Sequence, residues 1–293
     1  MVNSPQESAQ PVRDIGGDGE PRIRNGSALR PQTLLLAFLG IHLRGRDLAI
    51  SSASVIGVLA GLGISEEAAR STLTRMTQRG LLERHRRGRQ AYFGLTARSE
   101  AVLEEGHQRI WHSSPVNRDW NGRWTLIGFS LPESWSQQRH DLRSRLLWAG
   151  FGPLQNGLWI APSAVDVPAL LGDLRLDAHI RAFTAETVKP TETAQFVRDA
   201  FDLEGLAAGY QRFLERWDRR RPLPELRDDL LRELLLQAEW LQLLRGDPRL
   251  PLEHLPADWP APQAEEVFRD LAAVLRDPAT RVAADTLDFM AVS

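Results

Sequence analysis

The 293-residue chain contains no cysteine. That excludes disulfides, thiolate zinc sites and a cysteine nucleophile. Long apolar runs are also missing. The best candidate, Leu34 to Leu43, is interrupted by Gly40 and His42 and ends at Arg44, well short of the roughly 20 residues that cross a bilayer. The first residues lack the basic-then-apolar pattern of a secretory signal, so the expectation is a cytoplasmic protein with no membrane partner. Lysine is nearly absent: Lys189 is the only one, and arginine carries the remaining positive charge. A coding preference for arginine accounts for this, because the acidic C-terminal part lacks lysine too. Guanidinium forks also suit phosphate and guanine.

Enzyme signatures are equally scarce. There is no GxSxG, P-loop, HExxH or dinucleotide fingerprint. The histidines, His42, His85, His107, His112, His140, His179 and His254, show no i, i+4 metal spacing. Each reads as an ordinary core or surface residue. No catalytic residue, metal ligand or cofactor is therefore assigned, and the expectation is a non-enzyme.

Charge is distributed unevenly. From Arg30 to Arg98 eleven arginines stand against four acids, a balance of +7. From Pro222 to Ser293 seven arginines stand against fourteen acids, a balance of −7. A basic head and an acidic tail suggest that only the head meets a polyanion.

Residues 1–28 are rich in Pro, Gly, Ser, Asp and Gln and are expected to be disordered. Pro31 to Arg44 then reads as a helix, and Ser52 to Leu62 as a second, capped by Ser52 or Ser54. Glu66 to Arg79 reads as a third, with Ser65 as its cap and Gly80 as its stop. Leu81 to Arg84 and Gln90 to Leu95 look like two short strands, with a basic tip from His85 to Arg89 between them. Three helices and a basic hairpin follow the order of a winged helix-turn-helix, here residues 29–98. A linker helix occupies 99–120. In 121–189 strands Trp124 to Leu131, Gly157 to Ala161 and His179 to Val188 alternate with helices Ser134 to Ala149 and Val165 to Leu174, which suggests a ferredoxin-like unit. Residues 190–293 read as a helical domain: Phe196 to Arg219, Glu225 to Arg245, Ala264 to Leu275, and a short helix over the last dozen residues. The fold class is α+β.

On the third helix Ala69, Leu73 and Met76 fall within about 60° of one another, at about 100° per residue, and face a core. Ser71, Thr74 and Gln78 lie opposite, flanked by Arg70 and Arg75. Arginine engages guanine O6 and N7 bidentately, while Ser, Thr and Gln contact bases or phosphates. Arg70, Ser71, Thr74, Arg75 and Gln78 are the candidate base-contacting residues. The wing arginines Arg84, Arg86, Arg87 and Arg89 are candidates for phosphates or a minor groove. The alternative for each is an amphipathic helix with a solvated face. Six of nine tryptophans, Trp111, Trp120, Trp124, Trp135, Trp148 and Trp159, lie in the middle third. They read as core fillers, or as walls of an aromatic effector's pocket, for which Trp120, Arg123, Trp124 and Trp159 are the candidates. Arg123 or Arg143 would anchor an anionic group there, against a solvated surface role.

Longer motifs carry a resemblance. The head reads GISEEAARSTLTRMTQRGLLERHRRGRQAYFGLT, Gly63 to Thr96. It is followed by WNGRWTLIGFSLPE (Trp120 to Glu133), LRSRLLWAGFGPLQNGLWIAP (Leu142 to Pro162), YQRFLERW (Tyr210 to Trp217) and RGDPRLPLEHLPADWP (Arg245 to Pro260). Together these resemble the PaaX family of phenylacetate-degradation repressors. The resemblance implies a winged-helix head, a ferredoxin-like middle domain and a helical C-terminal domain. It also implies a homodimer on a partly palindromic double-stranded operator of a catabolic operon, released by phenylacetyl-coenzyme A or a related aromatic acyl-coenzyme A. The middle segment further resembles the small nuclease of CRISPR adaptation, whose metal-holding aspartate ends the first strand. Here Ser130 stands in that place, in Phe129-Ser130-Leu131-Pro132, and serine is a poor ligand for a hard cation. A nuclease or thioesterase-like enzyme, and an adaptor binding through its acidic tail, are the competing functions.

Overall fold

A computed structural model describes residues 29–218, 220 and 222–292. The expected disorder of residues 1–28 lies outside them. In chain order the elements are α1 (Pro31–His42), β1 (Leu48–Ser51), α2 (Ser52–Gly61), α3 (Glu66–Gln78), β2 (Leu82–Arg87), β3 (Gln90–Leu95) and α4 (Ala97–His112). Then come β4 (Trp124–Phe129), α5 (Ser136–Trp148), β5 (Gly152–Gln155), β6 (Leu158–Ala161), α6 (Val167–Leu171) and β7 (Ile180–Ala185). The rest is α7 (Thr193–Ala200), α8 (Leu203–Trp217), α9 (Asp229–Gly246), α10 (Ala261–Thr286) and β8 (Phe289–Ala291). Helices and two four-stranded sheets make an α+β chain. The described residues divide into two compact units: a middle unit of 115–205 and 246–258, and a head unit of 29–114, 206–245 and 259–292.

In the head unit, local chemistry sets the helix starts. Pro31 occupies the first turn of α1, where its missing N–H costs nothing. Ser51, rather than Ser52 or Ser54, caps α2: its Oγ accepts the N–H of Ser54 at 3.1 Å. Ser65 caps α3 by accepting the N–H of Ala68 at 3.2 Å. Gly80, at φ +66°, turns the chain out of α3, a conformation glycine adopts without strain. β2 pairs with β3 from Leu82↔Leu95 to Arg87↔Gln90. The basic hairpin tip is therefore only Gly88 and Arg89, and His85, Arg86 and Arg87 belong to a strand.

The sheet order β2-β3-β1-β8 contains two strands that periodicity missed. β1 is four residues long, too short to show alternation. A short helix was expected over the last dozen residues; the first of them end α10, and β8 takes the place of the rest. α10 runs unbroken through Pro278 to Thr286, after which the chain extends and pairs Ile50 with Phe289. A short isolated helix is marginal by itself, whereas the open edge of β1 offers ladder hydrogen bonds.

α9 is buried nearly all round. Its Leu231 closes on Gly61 of α2, where an added Cβ would sit 2.5 Å from Leu231 Cδ1. On its other side Trp240 stacks on Phe268 of α10, centroids 4.8 Å apart, and meets Phe213 of α8 at 5.4 Å. The C-terminal helices and the head thus share one core.

In the middle unit the order is β4-α5-β5-β6-α6-β7, and the strands lie β5-β6-β4-β7, all antiparallel. β5 went unforeseen because Gly152 and Pro153 open it, and both weaken a strand signal. One sheet face carries Ile127, Trp159 and Ile180 against Leu142 and Leu146 of α5. The other carries Trp124 and Ile160 against Phe196 and Val197 of α7. The long periodic segment from Phe196 splits into α7 and α8 at Asp202, whose carboxylate accepts the N–H of Gly205 at 2.8 Å.

Candidate nucleic-acid interface

α3 has an apolar side and an open side. Ala69, Thr72, Leu73 and Met76 are buried. Arg70, Ser71, Thr74, Arg75 and Gln78, the residues singled out from the sequence, are all exposed. Among the described residues of the head unit, none covers that face. Its side chains are held mainly by their own helix. Thr74 Oγ1 donates to the carbonyl of Arg70 at 3.0 Å. An Arg75 Nη2 donates to Thr72 Oγ1 at 3.3 Å. Arg70 pairs with Glu66 at 2.7 Å, one turn earlier. That pair is exposed on both sides, so it is worth under about 1 kcal/mol and yields readily to a phosphate or base. Glu66 and Glu67 sit on the first-turn dipole of α3, where carboxylates stabilise a helix.

The hairpin supplies the second surface. Arg84, Arg86 and Arg89 are exposed and have no acidic partner among the described residues. By strand alternation Arg84 and Arg86 leave the face opposite Arg87. Arg87 differs from its neighbours. It donates to Asp288 at 2.7 Å, contacts the Tyr92 hydroxyl, and lies 4.7 Å over the Tyr92 ring. The carboxylate holds the Arg87 guanidinium still further in its charged form. The Tyr92 hydroxyl, donating at 2.6 Å, holds Asp288 below the usual carboxylate range, and Arg87 adds to this. So among the described residues one of the four hairpin arginines is paired within the protein. Asp288 belongs to this surface and the buried Tyr92 supports it, although neither stood out in the sequence. Asp288 lies 201 positions from Arg87, beyond the reach of any local pattern.

The effector candidates are only partly brought together. Trp120 and Trp124 meet edge to face at 5.0 Å, and His254 stands 5.0 Å from Trp120. Trp159 does not join them. It pairs with Ile127 and faces the opposite side of the sheet from Trp124, because adjacent strand residues point to opposite faces. Arg123 is exposed and paired with Glu186 at 3.3 Å, and Arg143 is exposed. In the head unit, Arg212, Phe213, Arg216, Glu239, Gln242 and Leu243 line an open groove of about 820 Å³. Ser130 follows β4, its N–H donating to the carbonyl of His179 at 3.1 Å. Among the described residues no three His, Asp or Glu side chains are grouped to hold a metal ion. No described helix is long and apolar enough to cross a membrane.

Comparison with known proteins gives three successive matches along the chain. Residues 30–99 match the family described as PaaX-like protein. Residues 117–197 match the PaaX protein central Cas2-like domain, and 201–285 the PaaX-like protein C-terminal domain. The transcriptional repressor PaaX of Escherichia coli (strain K12) is 27% identical over 248 residues, which cover 80% of this chain and 77% of that one. Among solved structures, the uncharacterized protein Rv0674 from Mycobacterium tuberculosis aligns with a TM-score of 0.58 at 25% identity, covering 87% of this chain and 99% of that chain. With three successive matches in one order and a relative aligned along most of both lengths, the chain belongs to the PaaX-type family of transcriptional regulators.

Proposed function

We propose that this protein is a DNA-binding repressor of a catabolic operon, such as one for phenylacetate, and is not an enzyme. In this reading the head is a winged helix-turn-helix. α3 enters the major groove, and the hairpin lies along the phosphates. The middle domain is ferredoxin-like and dimerising, so that two heads match two half-sites on one DNA face. A small effector, an aromatic acyl-coenzyme A or a related compound, binds better to a misaligned arrangement and weakens the complex by that difference in affinity. The observation that carries the reading is the exposed polar face of α3 together with three exposed hairpin arginines that have no acidic partner among the described residues. A genomic footprint of bound DNA tests it. Discrete, partly palindromic sites upstream of catabolic genes are the expected result. Uniform recovery of the genome, with no enriched site, would refute it.

A further inference from the structure

Among the hairpin arginines Arg87 has a carboxylate partner, Asp288, and that carboxylate is firmly mounted. The carbonyl of Asp288 accepts the N–H of Ser51 at 2.9 Å. Its own N–H donates to Ser54 Oγ, also at 2.9 Å. Ser51 and Ser54 are the cap and first turn of α2, so the head itself grips this residue. β8 then pairs along β1. The side chain is aimed across the sheet, one oxygen on Arg87 Nη2 at 2.7 Å and the other on the Tyr92 hydroxyl at 2.6 Å. The same hydroxyl lies 2.9 Å from the side-chain amide of Gln90. Both Arg87 and Asp288 remain reachable from solvent, their side chains 52% and 39% exposed.

We propose that Asp288 is an internal competitor for the wing: its carboxylate occupies Arg87 and withholds that guanidinium from DNA phosphate. This rests on the DNA-binding reading above. A guanidinium has five donors, and the two anions contest those that point outward. Phosphate gains Arg87 only as the Asp288 pair opens or is shared. β8 continues directly from α10, so any shift of α10 along its axis alters how tightly the competitor is held.

The test measures affinity for a labelled duplex of mixed sequence against salt concentration, because phosphate contacts carry no sequence information. Wild type, Asp288→Asn, Tyr92→Phe, Arg87→Gln and the Asp288→Asn/Arg87→Gln pair are compared. Asp288→Asn keeps the backbone bonds to Ser51 and Ser54. It should bind several-fold tighter in low salt, with the salt slope steeper by about 0.9, one additional phosphate contact. Tyr92→Phe loosens the carboxylate without removing it and should move the same way by less. In the Arg87→Gln background the Asp288→Asn gain should shrink markedly. A gain of the same size there would overturn the proposal, since the acid would then act only as a distant repulsive charge. Asp288→Asn or Tyr92→Phe binding no tighter than wild type would also overturn it. If the wild-type chain showed no affinity for duplex in low salt, the DNA reading itself would fall and the competitor with it, an outcome distinct from the other two.

Discussion

Replacing Glu233 by glutamine removes a charge that the head unit's core accommodates poorly. Glu233 lies on α9 at 5% exposure, and its Oε1 accepts only a long bond from Gln237 at 3.3 Å. Burial pushes its pKa from the ordinary 4.5 up to about 7, while Arg276 and the Gln237 bond pull partly back. The folded-state value is raised, so between pH 4.5 and 7 the native state holds a proton that the unfolded chain has released. Stability therefore falls as pH rises through that window. At about 1.4 kcal/mol per pH unit, the gap amounts to about 3 kcal/mol above pH 7. Glutamine keeps the shape and the hydrogen bond and has no proton to lose. Urea denaturation, read on the transition of the unit that contains α9, should find Glu233→Gln more stable by about 3 kcal/mol at pH 8. At pH 5 the difference should shrink below about 1 kcal/mol. An equal difference at both pH values would show that the buried charge is not its source.

His42 should act in the opposite sense. Burial, then the nearby Arg46, lowers its pKa from 6.5 to about 4, so stability is lost as pH falls from 6.5 towards 4. His42→Leu should flatten that acid limb by up to about 3 kcal/mol in denaturation at stepped pH. Arg75→Ala should reduce discrimination between a footprinted site and its base-substituted form by about 1–3 kcal/mol, measured by competition binding; unchanged discrimination would remove Arg75 from base contact. Replacing Arg84, Arg86 and Arg89 together by alanine should weaken binding to all sequences and flatten the salt slope by about 2–3, as salt titration would report. Gly152→Ala would place a Cβ 2.3 Å from the carbonyl oxygen of Ala200. Because backbone cannot retreat cheaply, it should destabilise the middle unit by about 1–3 kcal/mol in thermal unfolding.

The sequence was most legible where information is local. Ser65, Gly80 and the Ala69-Leu73-Met76 stripe mark α3 and its open face, because caps and helical period act within a few residues. The same holds for Arg84, Arg86 and Arg89. What stayed hidden was set by distant partners. β1 is too short to announce itself and exists as a strand because β3 and β8 flank it. The last residues, with a terminal helix as their local reading, became β8 because β1 had an edge to fill. Arg87 looked identical to Arg86 until Asp288 arrived beside it. Trp124 and Trp159 seemed able to share a pocket, but strand alternation, once β4 and β6 were in register, sent them to opposite sides.

The β8 pairing has a consequence for how the head comes into being. A fragment stopping near Arg98 would leave β1 as a bare edge with unanswered N–H and C=O groups, and Gly61 would lose the Leu231 side chain that seals it. Such edges recruit other chains, so the excised head should self-associate, whereas fragments that retain residues 206–245 and 259–292 should not. During synthesis the same edge waits for β8, whose Phe289 pairs with Ile50. The head unit is thus completed only after the middle unit has been made.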